Sequence, residues 1–360
     1  MGLADAYFTR AQYENKLGDY VGAESDYREA SVIYKAVLGD AHPRTLRNDC
    51  LLGRVLNFQG KREAGIALLE RATAAMEKAL PSSDALTICL EQLGYAYIDE
   101  GRADKAEKLF VETDSIFERL GDKLFQTNSR LGISLALDFR GRYDEARRLV
   151  KAVVAERKAN QSQTASLVTA YLRLAQVELH DNRLDAAKAA LEQVLSGEHR
   201  ADGPPALPID IALAKSMRAE IARLRGDYAD AIVRSEEVLA FTRTEKMGWA
   251  ALVEAAALGT QGNALCESGQ ERQGGESLQR SLGIFQSRHH PSSPYLADAQ
   301  AAFGACALAM QKRDEAQARL LLAEAILSAH AELGEHFRKP VRALQTKLRQ
   351  RKQGVSHSSR

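Results

Sequence analysis

The chain has 360 residues, of which 45% are hydrophobic and 27% charged, and its formal net charge is +1. This composition is typical of a folded protein, and the balanced charge provides no general attraction to nucleic acid or to anionic membranes. No uncharged apolar stretch reaches the roughly 18 residues that a membrane-spanning helix needs, so we predict a cytoplasmic protein without nucleic-acid or membrane partners in this region.

The N-terminal segment is charged and amphipathic, and its helical pattern begins almost at Met1 without a preceding cap. It lacks the apolar core of a secretory signal peptide. We expect such a start where a chain has been cut from a larger protein.

A helix-turn-helix signal of the type GDYVGA then recurs through the chain. Its first residues are Gly18, Gly60, Gly101, Gly141, Asn182, Gly226, Gly269 and Gln311. A near-constant interval of about 42 residues predicts an array of stacked helical hairpins. Glycine or asparagine suits the left-handed conformation that ends the first helix of a hairpin.

Two columns of small residues support this register. Five residues after each marker stand Ala23, Gly65, Ala106, Ala146, Ala187, Ala231, Gly274 and Ala316. Seven residues before it stand Ala11, Gly53, Gly94, Ser134, Ala175, Ala219, Gly262 and Gly304. Small side chains are needed where two helices approach closely, because a bulky one would overpack the contact.

Nine residues after each marker the side chain is large and apolar, except at Ser235. The others are Tyr27, Leu69, Phe110, Val150, Leu191, Leu278 and Leu320. We expect these residues to fill the space between successive hairpins. The prolines fall between the hairpins, apart from Pro340 near the last helix, as expected from the cost of proline inside a helix.

The spacing therefore predicts an all-α fold, a right-handed superhelical solenoid of about eight antiparallel helix pairs with a C-terminal capping helix. The predicted repeats cover residues 3–40, 44–80, 84–120, 125–160, 164–198, 209–244, 249–288 and 294–333. The cap covers 335–353, within one solenoid over 1–353, and 354–360 form a disordered tail. The basic last helix caps the array or, alternatively, docks an acidic partner.

These columns resemble the tetratricopeptide repeat, with a small–x–large first helix, a GxYxxA-type turn and an aromatic residue or Leu in the second helix. The longer unit is similar to kinesin light chains and to repeat regions that follow kinase or DNA-binding domains in bacterial regulators. The resemblance implies a protein-binding role. At the positions of the kinesin groove Asn this chain has other residues, such as Gln92 and Arg173, so that peptide clamp is not implied.

The first helices of such an array line a concave groove. The polar positions that we predict to face it are Gln12, Asn15, Arg54, Asn57, Gln92, Tyr95, Asn128, Arg173, Gln176, Glu220, Arg223 and Asn263. Amide and guanidinium groups suit an extended peptide, although solvated helix residues have the same composition. We expect Arg173 and Gln176 to be exposed.

Catalytic and metal-binding patterns are weak. The histidines lack an HExxH spacing, and the segment GTQGN (259–263) lacks the Lys of a phosphate-binding loop. Four scattered cysteines, Cys50, Cys89, Cys266 and Cys306, are expected to be buried thiols. Trp249 is expected to pack in the join between hairpins six and seven or, alternatively, to anchor a partner.

We therefore predict a non-catalytic scaffold that needs no cofactor or metal and binds a protein or peptide. The alternatives are the sensory region of a bacterial kinase or DNA-binding regulator and, less favoured by the residues, an enzyme with an unrecognised site.

Overall fold

The structure is a computed structural model that describes residues 1–160, 164–196, 207–245 and 248–357. These residues form seventeen α-helices and no strand, which confirms the all-α prediction. The helices are α1 (Gly2–Lys16), α2 (Tyr20–Leu38), α3 (Pro43–Phe58), α4 (Arg62–Ala79), α5 (Asp84–Asp99), α6 (Ala103–Leu120), α7 (Lys123–Phe139), α8 (Tyr143–Ala159), α9 (Thr164–His180), α10 (Leu184–Leu195), α11 (Pro208–Leu224), α12 (Tyr228–Thr244), α13 (Ala250–Glu267), α14 (Glu271–Arg288), α15 (Pro294–Ala309), α16 (Arg313–Ser328) and α17 (Glu335–His357).

We call the odd-numbered helices from α1 to α15 the first helices. Each is followed, two positions after its last residue, by one of the eight marker residues. All eight have positive φ, including the two that are not glycine, Asn182 at 58° and Gln311 at 64°. In each turn the residue after the marker donates its backbone N–H to the carbonyl five residues earlier, as Asp19 does to Glu14 at 2.9 Å. This bond closes a helix through a left-handed residue, and the last residue of each first helix accordingly lies two positions before its marker.

The small-residue columns face each other inside the hairpins. A Cβ added at Gly262 would lie 2.8 Å from the carbonyl oxygen of Gly274, and one added at Gly274 would lie 2.7 Å from that of Gly262. Gly53 and Gly65 approach each other in the same way. A methyl group would collide with backbone at these sites, so the backbones of the paired helices are in direct contact.

The seven large residues nine positions after the markers are all buried, and Phe110 packs between two hairpins as predicted. Phe110 on α6 is fully buried. A Cβ atom added at Gly94 on α5 would lie 2.8 Å from its ring, and one added at Gly132 on α7 would lie 2.6 Å from it. The exception, Ser235, is also buried and donates its hydroxyl to the carbonyl of Ala231 at 2.8 Å.

The chain divides into two compact units. Unit 1 contains Met1–Ala136 together with a short segment that ends at Trp249. Unit 2 consists of two stretches of the chain, one that begins at Leu137 and one that begins at Ala250. Within unit 1, Gly248 lies against the turn between α1 and α2, where its added Cβ would be 2.9 Å from the oxygen of Gly18. The neighbouring Trp249 is half-buried. The single solenoid over 1–353 remains a prediction.

The expectation of free thiols was wrong. Cys50 on α3 is joined to Cys89 on α5 within unit 1, and Cys266 on α13 to Cys306 on α15 within unit 2. The partners are 39 and 40 residues apart, close to one repeat, so each pair joins the first helices of neighbouring hairpins. Their Cα atoms are 5.2 and 5.6 Å apart, which is within reach of a disulfide.

The last helix carries an apolar stripe over its inner surface. Phe337, Val341, Leu344 and Leu348 are at most 4% exposed, and Leu344 lies against Gly304 of α15. The helix runs to His357, past the predicted cap end at 353, so residues 354–357 are helical rather than disordered. A single glycine, Gly354, costs only about 1 kcal/mol in a helix and does not end it. The rest of the predicted tail, 358–360, lies outside the described residues.

No helix in the described part of the chain is both long and apolar enough to span a membrane.

Candidate functional site

The first helices of unit 2 contact one another in sequence, α9 with α11, α11 with α13 and α13 with α15. We call the polar surface along these four helices the first-helix face. It contains the predicted site residues Arg173, Gln176, Glu220, Arg223 and Asn263.

Arg223 forms the centre of an ion-pair network on this face. Its guanidinium donates to both carboxylate oxygens of Glu220 on α11, at 2.6 and 2.9 Å, and of Glu267 on α13, at 2.7 and 3.0 Å. Thr260 donates a further hydrogen bond to Glu220 at 3.0 Å. Burial acts to lower the pKa of Arg223, but the two carboxylates outweigh it and raise that pKa above its ordinary value. The network ties neighbouring first helices together.

Asp298 on α15 is a further carboxylate, which interacts with Glu220 and Arg223 through their charges. Its side chain is open to solvent, yet the surrounding protein raises its pKa to about 6 by removing hydration, with a smaller contribution from the charge of Glu220. Arg223 and His180 act in the opposite direction.

Arg173 and Gln176 are not freely exposed, contrary to the prediction. Both are half-buried on α9. Arg173 donates to the amide oxygen of Gln176 at 2.8 Å, and the Gln176 amide approaches Asp138 at 3.4 Å. The Nε of Arg173 is buried and has no hydrogen-bond partner among the described residues. These two side chains therefore support Asp138 as well as lining the face.

The predicted residues of unit 1 are more dispersed. Gln12, Arg54 and Gln92 are half-buried, whereas Tyr95 and Asn128 are exposed. The amide oxygens of Asn15 and Asn57 are buried. The Asn57 oxygen occupies the space beside Gly65, between α3 and α4, so it does not face a ligand. Asn57 lies on first helix α3, and the missing Cβ of Gly65 gives its side chain room to turn inward.

Glu91 on α5 is a further polar residue of unit 1 that was not among the predicted site residues. Its carboxyl group is half-buried, and burial raises its pKa to about 7 even though the charge of Arg54 acts to lower it. Its neighbour Gln92 was singled out because the register favours polar amides. The sequence feature that could have identified Glu91 is an acidic residue at a position of α5 that the register turns toward the protein interior.

A second cluster in unit 2 joins Asp138, His180 and His336. Asp138, at the end of α7, has a fully buried side chain. Its two oxygens lie 2.8 and 3.0 Å from Nδ1 of His180, at the end of α9. One potential ligand atom from each of the three residues lies within 4.8 Å of the other two.

His336, in the first turn of α17, completes this cluster. Its ring stacks on that of His180 with centroids 3.9 Å apart and planes 10° from parallel. Its Nδ1 lies 2.9 Å from the hydroxyl of Tyr143, which also accepts the His336 backbone N–H at 3.2 Å. Burial, with the charge of His180, lowers the pKa of His336 well below its ordinary value, so the ring is neutral at neutral pH. Its Nε2 is buried without a hydrogen-bond partner among the described residues.

Two glycines bring these distant segments together. Gly334 donates its backbone N–H to the carbonyl of Phe139 at 2.7 Å, and a Cβ on Gly334 would lie 2.6 Å from the Cα of Gly141. Gly141 has a φ of 72°, so it serves both the turn and this contact. Tyr143 and His336 are 193 residues apart in the chain, and no local spacing could have predicted the cluster.

Two segments of the chain match family models described as tetratricopeptide repeat, at residues 2–78 and 168–196. No curated protein matches the chain.

Several solved structures share the fold at low sequence identity. A Rap protein complexed with Competence and Sporulation Factor is 11% identical, has a TM-score of 0.59 and covers 97% of this chain and 99% of its own. The Rap conjugation gene regulator of plasmid pLS20, in complex with the Phr* peptide, is 13% identical, with a TM-score of 0.59 and coverage of 92% and 97%. The apo form of RapI is 15% identical, with a TM-score of 0.56 and coverage of 79% and 98%. At these identities the similarity shows the fold alone. With the repeat matches, it confirms the resemblance to tetratricopeptide proteins.

Proposed function

We propose that this chain, which is built of tetratricopeptide repeats, is a non-catalytic scaffold that binds a peptide or partner segment on its first-helix face. The observation that carries the proposal is the charge arrangement at Glu220, Arg223, Glu267 and Asp298. Arg223 is hydrogen-bonded to Glu220 and Glu267, and its charge also acts on Asp298. Asp298 and Glu267 are both exposed, and among the described residues only Glu220 and Glu267 are hydrogen-bonded to Arg223.

The ionised form of Asp298 is disfavoured, because the surrounding protein reduces the hydration of this carboxyl group and so raises its pKa. A cation placed beside it would restore the electrostatic stabilisation that hydration no longer supplies. The partner that fits this face is therefore a segment carrying Lys or Arg, with polar groups for Arg173, Gln176 and Asn263. The structures of a Rap protein with Competence and Sporulation Factor and of the pLS20 regulator with the Phr* peptide support a peptide-binding role for this fold.

A regulatory role is the second candidate. The pLS20 neighbour is itself described as a conjugation gene regulator, and the sequence resembles repeat regions of bacterial signalling proteins. In this role, occupancy of the first-helix face would be the signal transmitted to a further domain or partner. Both candidate functions require that this chain binds a peptide or partner segment, so the first experiment tests binding.

A cytoplasmic location belongs to the same proposal. Most cytosolic proteins keep their cysteines reduced, so the Cys50–Cys89 and Cys266–Cys306 disulfides of the structure count against this location. In that compartment both bonds would be reduced to dithiols. Alkylation of the protein in freshly lysed source cells, followed by mass spectrometry, measures this directly. If all four cysteines escape alkylation because they are oxidised, the result would contradict the cytoplasmic location.

The binding test uses short synthetic peptides that differ only in charge, with Lys or Arg replaced by Ala or Glu. Binding is measured by fluorescence anisotropy at two salt concentrations. We expect basic peptides to bind, and Asp298→Asn to weaken them about tenfold, because losing one charge-assisted contact costs on the order of 1.4 kcal/mol.

The matched control is Asp314→Asn, which makes the same change at an exposed position on second helix α16. It should leave peptide affinity unchanged. The proposal fails if no peptide in the series binds, if acidic and basic peptides bind equally, or if the two variants weaken binding to the same extent. Circular dichroism spectra of both variants exclude loss of folding as the cause.

A further inference from the structure

We propose that Asp138, His180 and His336 form a binding site for a divalent transition-metal ion, with Zn²⁺ the best match to their donor atoms. The proposal is independent of peptide binding. It concerns a cluster in unit 2 whose members come from the ends of α7 and α9 and the start of α17.

The donor set is two imidazole nitrogens and one carboxylate oxygen. Zn²⁺ accepts such mixed nitrogen and oxygen ligands in tetrahedral sites, in which a water molecule takes the fourth position when the protein supplies three ligands. Mg²⁺ and Ca²⁺ prefer sites made of oxygen alone. The chemistry of the cluster therefore selects for a transition metal over the abundant hard cations.

The unpartnered Nε2 of His336 is the second observation that indicates a ligand. This nitrogen is buried and has no hydrogen-bond partner among the described residues, and leaving a buried polar atom unpaired is unfavourable because its hydration is lost without replacement. A metal ion would satisfy it. The opposite nitrogen, Nδ1, lies 2.9 Å from the Tyr143 hydroxyl, which is the kind of outer contact that orients a ligating histidine.

The other two ligands are supported in the same way. Asp138 is fully buried, and besides His180 it is approached by the Gln176 amide at 3.4 Å. The Nδ1 of His180 lies 2.8 Å from a carboxylate oxygen of Asp138, so an ion could replace the proton that these two atoms share. Metal ligands must lose such protons when they bind.

The apolar environment also favours tight binding. Phe139 and Phe337 flank the cluster, with ring centroids 5.1 Å apart, and they are 0% and 2% exposed. Electrostatic attraction between the ion and the Asp138 carboxylate is stronger in such surroundings than in water.

One movement is required for binding. The two imidazole rings are stacked in nearly parallel planes, whereas a metal ion lies close to the plane of each ring that binds it. One ring must therefore turn about its Cα–Cβ bond. The ligand atoms, which are now within 4.8 Å of one another, would also move closer together, since Zn–N and Zn–O bonds are about 2.0–2.2 Å long.

The test measures Zn²⁺ binding to the full chain after chelator treatment, by competition with a chromophoric chelator. We expect one ion per chain and a rise in thermal stability, with no comparable effect of Mg²⁺ or Ca²⁺. His336→Ala and His180→Ala should each weaken Zn²⁺ binding by at least about tenfold, and Tyr143→Phe should weaken it about 10–100-fold through lost orientation of His336.

The control is His42→Ala, which removes an imidazole from unit 1 and should not change the affinity. Because alanine variants at the cluster could disturb packing, Asp138→Asn provides a nearly isosteric loss of a ligand. X-ray absorption of the Zn²⁺ complex should show two imidazoles and only nitrogen or oxygen donors. The proposal is overturned if Zn²⁺ does not bind, if His42→Ala and His336→Ala weaken it equally, or if absorption shows fewer than two imidazoles.

Discussion

At the scale of single residues, Glu91 is a half-buried carboxyl group whose ionisation lowers the stability of the folded chain. Its pKa is raised to about 7 because burial disfavours the charged carboxylate, and Arg54 compensates only in part. The unfolded chain has the ordinary lower value, so the folded state binds the proton more tightly. The stability that follows is fully present at low pH and is lost as pH rises from the ordinary Glu range through about 7.

We therefore expect Glu91→Gln to be more stable than the parent chain at pH 8, by about 1–3 kcal/mol from the size of the shift. Near pH 4 the two should be similar, because Glu91 is then protonated in both states. Urea unfolding at both pH values measures the difference. A variant that is equally stable or less stable than the parent at pH 8 would show that Arg54 fully compensates the buried charge.

At the scale of helices, the small-residue columns determine how closely each pair packs. Ala187 on α10 is fully buried, and it belongs to one apolar cluster with Ala175 on α9 and Leu191. Both alanines are almost completely buried where the two helices pack together. A larger side chain must displace the opposite helix or adopt a strained rotamer.

Ala187→Leu should therefore lower the free energy of unfolding by about 1–3 kcal/mol through overpacking. Ala189→Leu is the matched control, since it makes the same change at an exposed position of the same helix and should have little effect. Chemical denaturation of both variants measures the contrast. Equal stability of the two variants would mean that α9 and α10 can separate without cost.

At the scale of the whole molecule, each compact unit contains one disulfide between first helices of neighbouring hairpins. Each closes a loop of about 40 residues, which corresponds to roughly 4 kcal/mol in the chain-entropy description of the unfolded state. These bonds therefore act on stability through the unfolded chain as much as through contacts in the folded one.

Reduction should consequently lower the unfolding free energy of the affected unit by about 2–4 kcal/mol. Unfolding curves with and without reductant measure this change. A variant with all four cysteines replaced by alanine should lose its response to reductant. Identical curves for the parent chain in both conditions would show that neither pair is oxidised in solution.

The sequence by itself determined the helices, their ends and their pairing, because these depend on short-range physics. A left-handed turn, a pair of small residues and a large apolar residue recur in each unit, and each acts on neighbours within the same or the next hairpin. Gly18, Asn182 and Gln311 could thus be identified as turns without coordinates. The polar residues of the first helices could be placed in register by the same argument.

Only the tertiary structure decided which side chains meet. The inward turn of the Asn57 oxygen depends on the space beside Gly65, and the two disulfides depend on the approach of first helices in adjacent hairpins. The Asp138–His180–His336 cluster exists because the backbone of Gly334 bonds to Phe139, almost two hundred positions away in the chain. Local periodicity carries no information about such contacts, because each depends on how separate helices pack against one another in three dimensions.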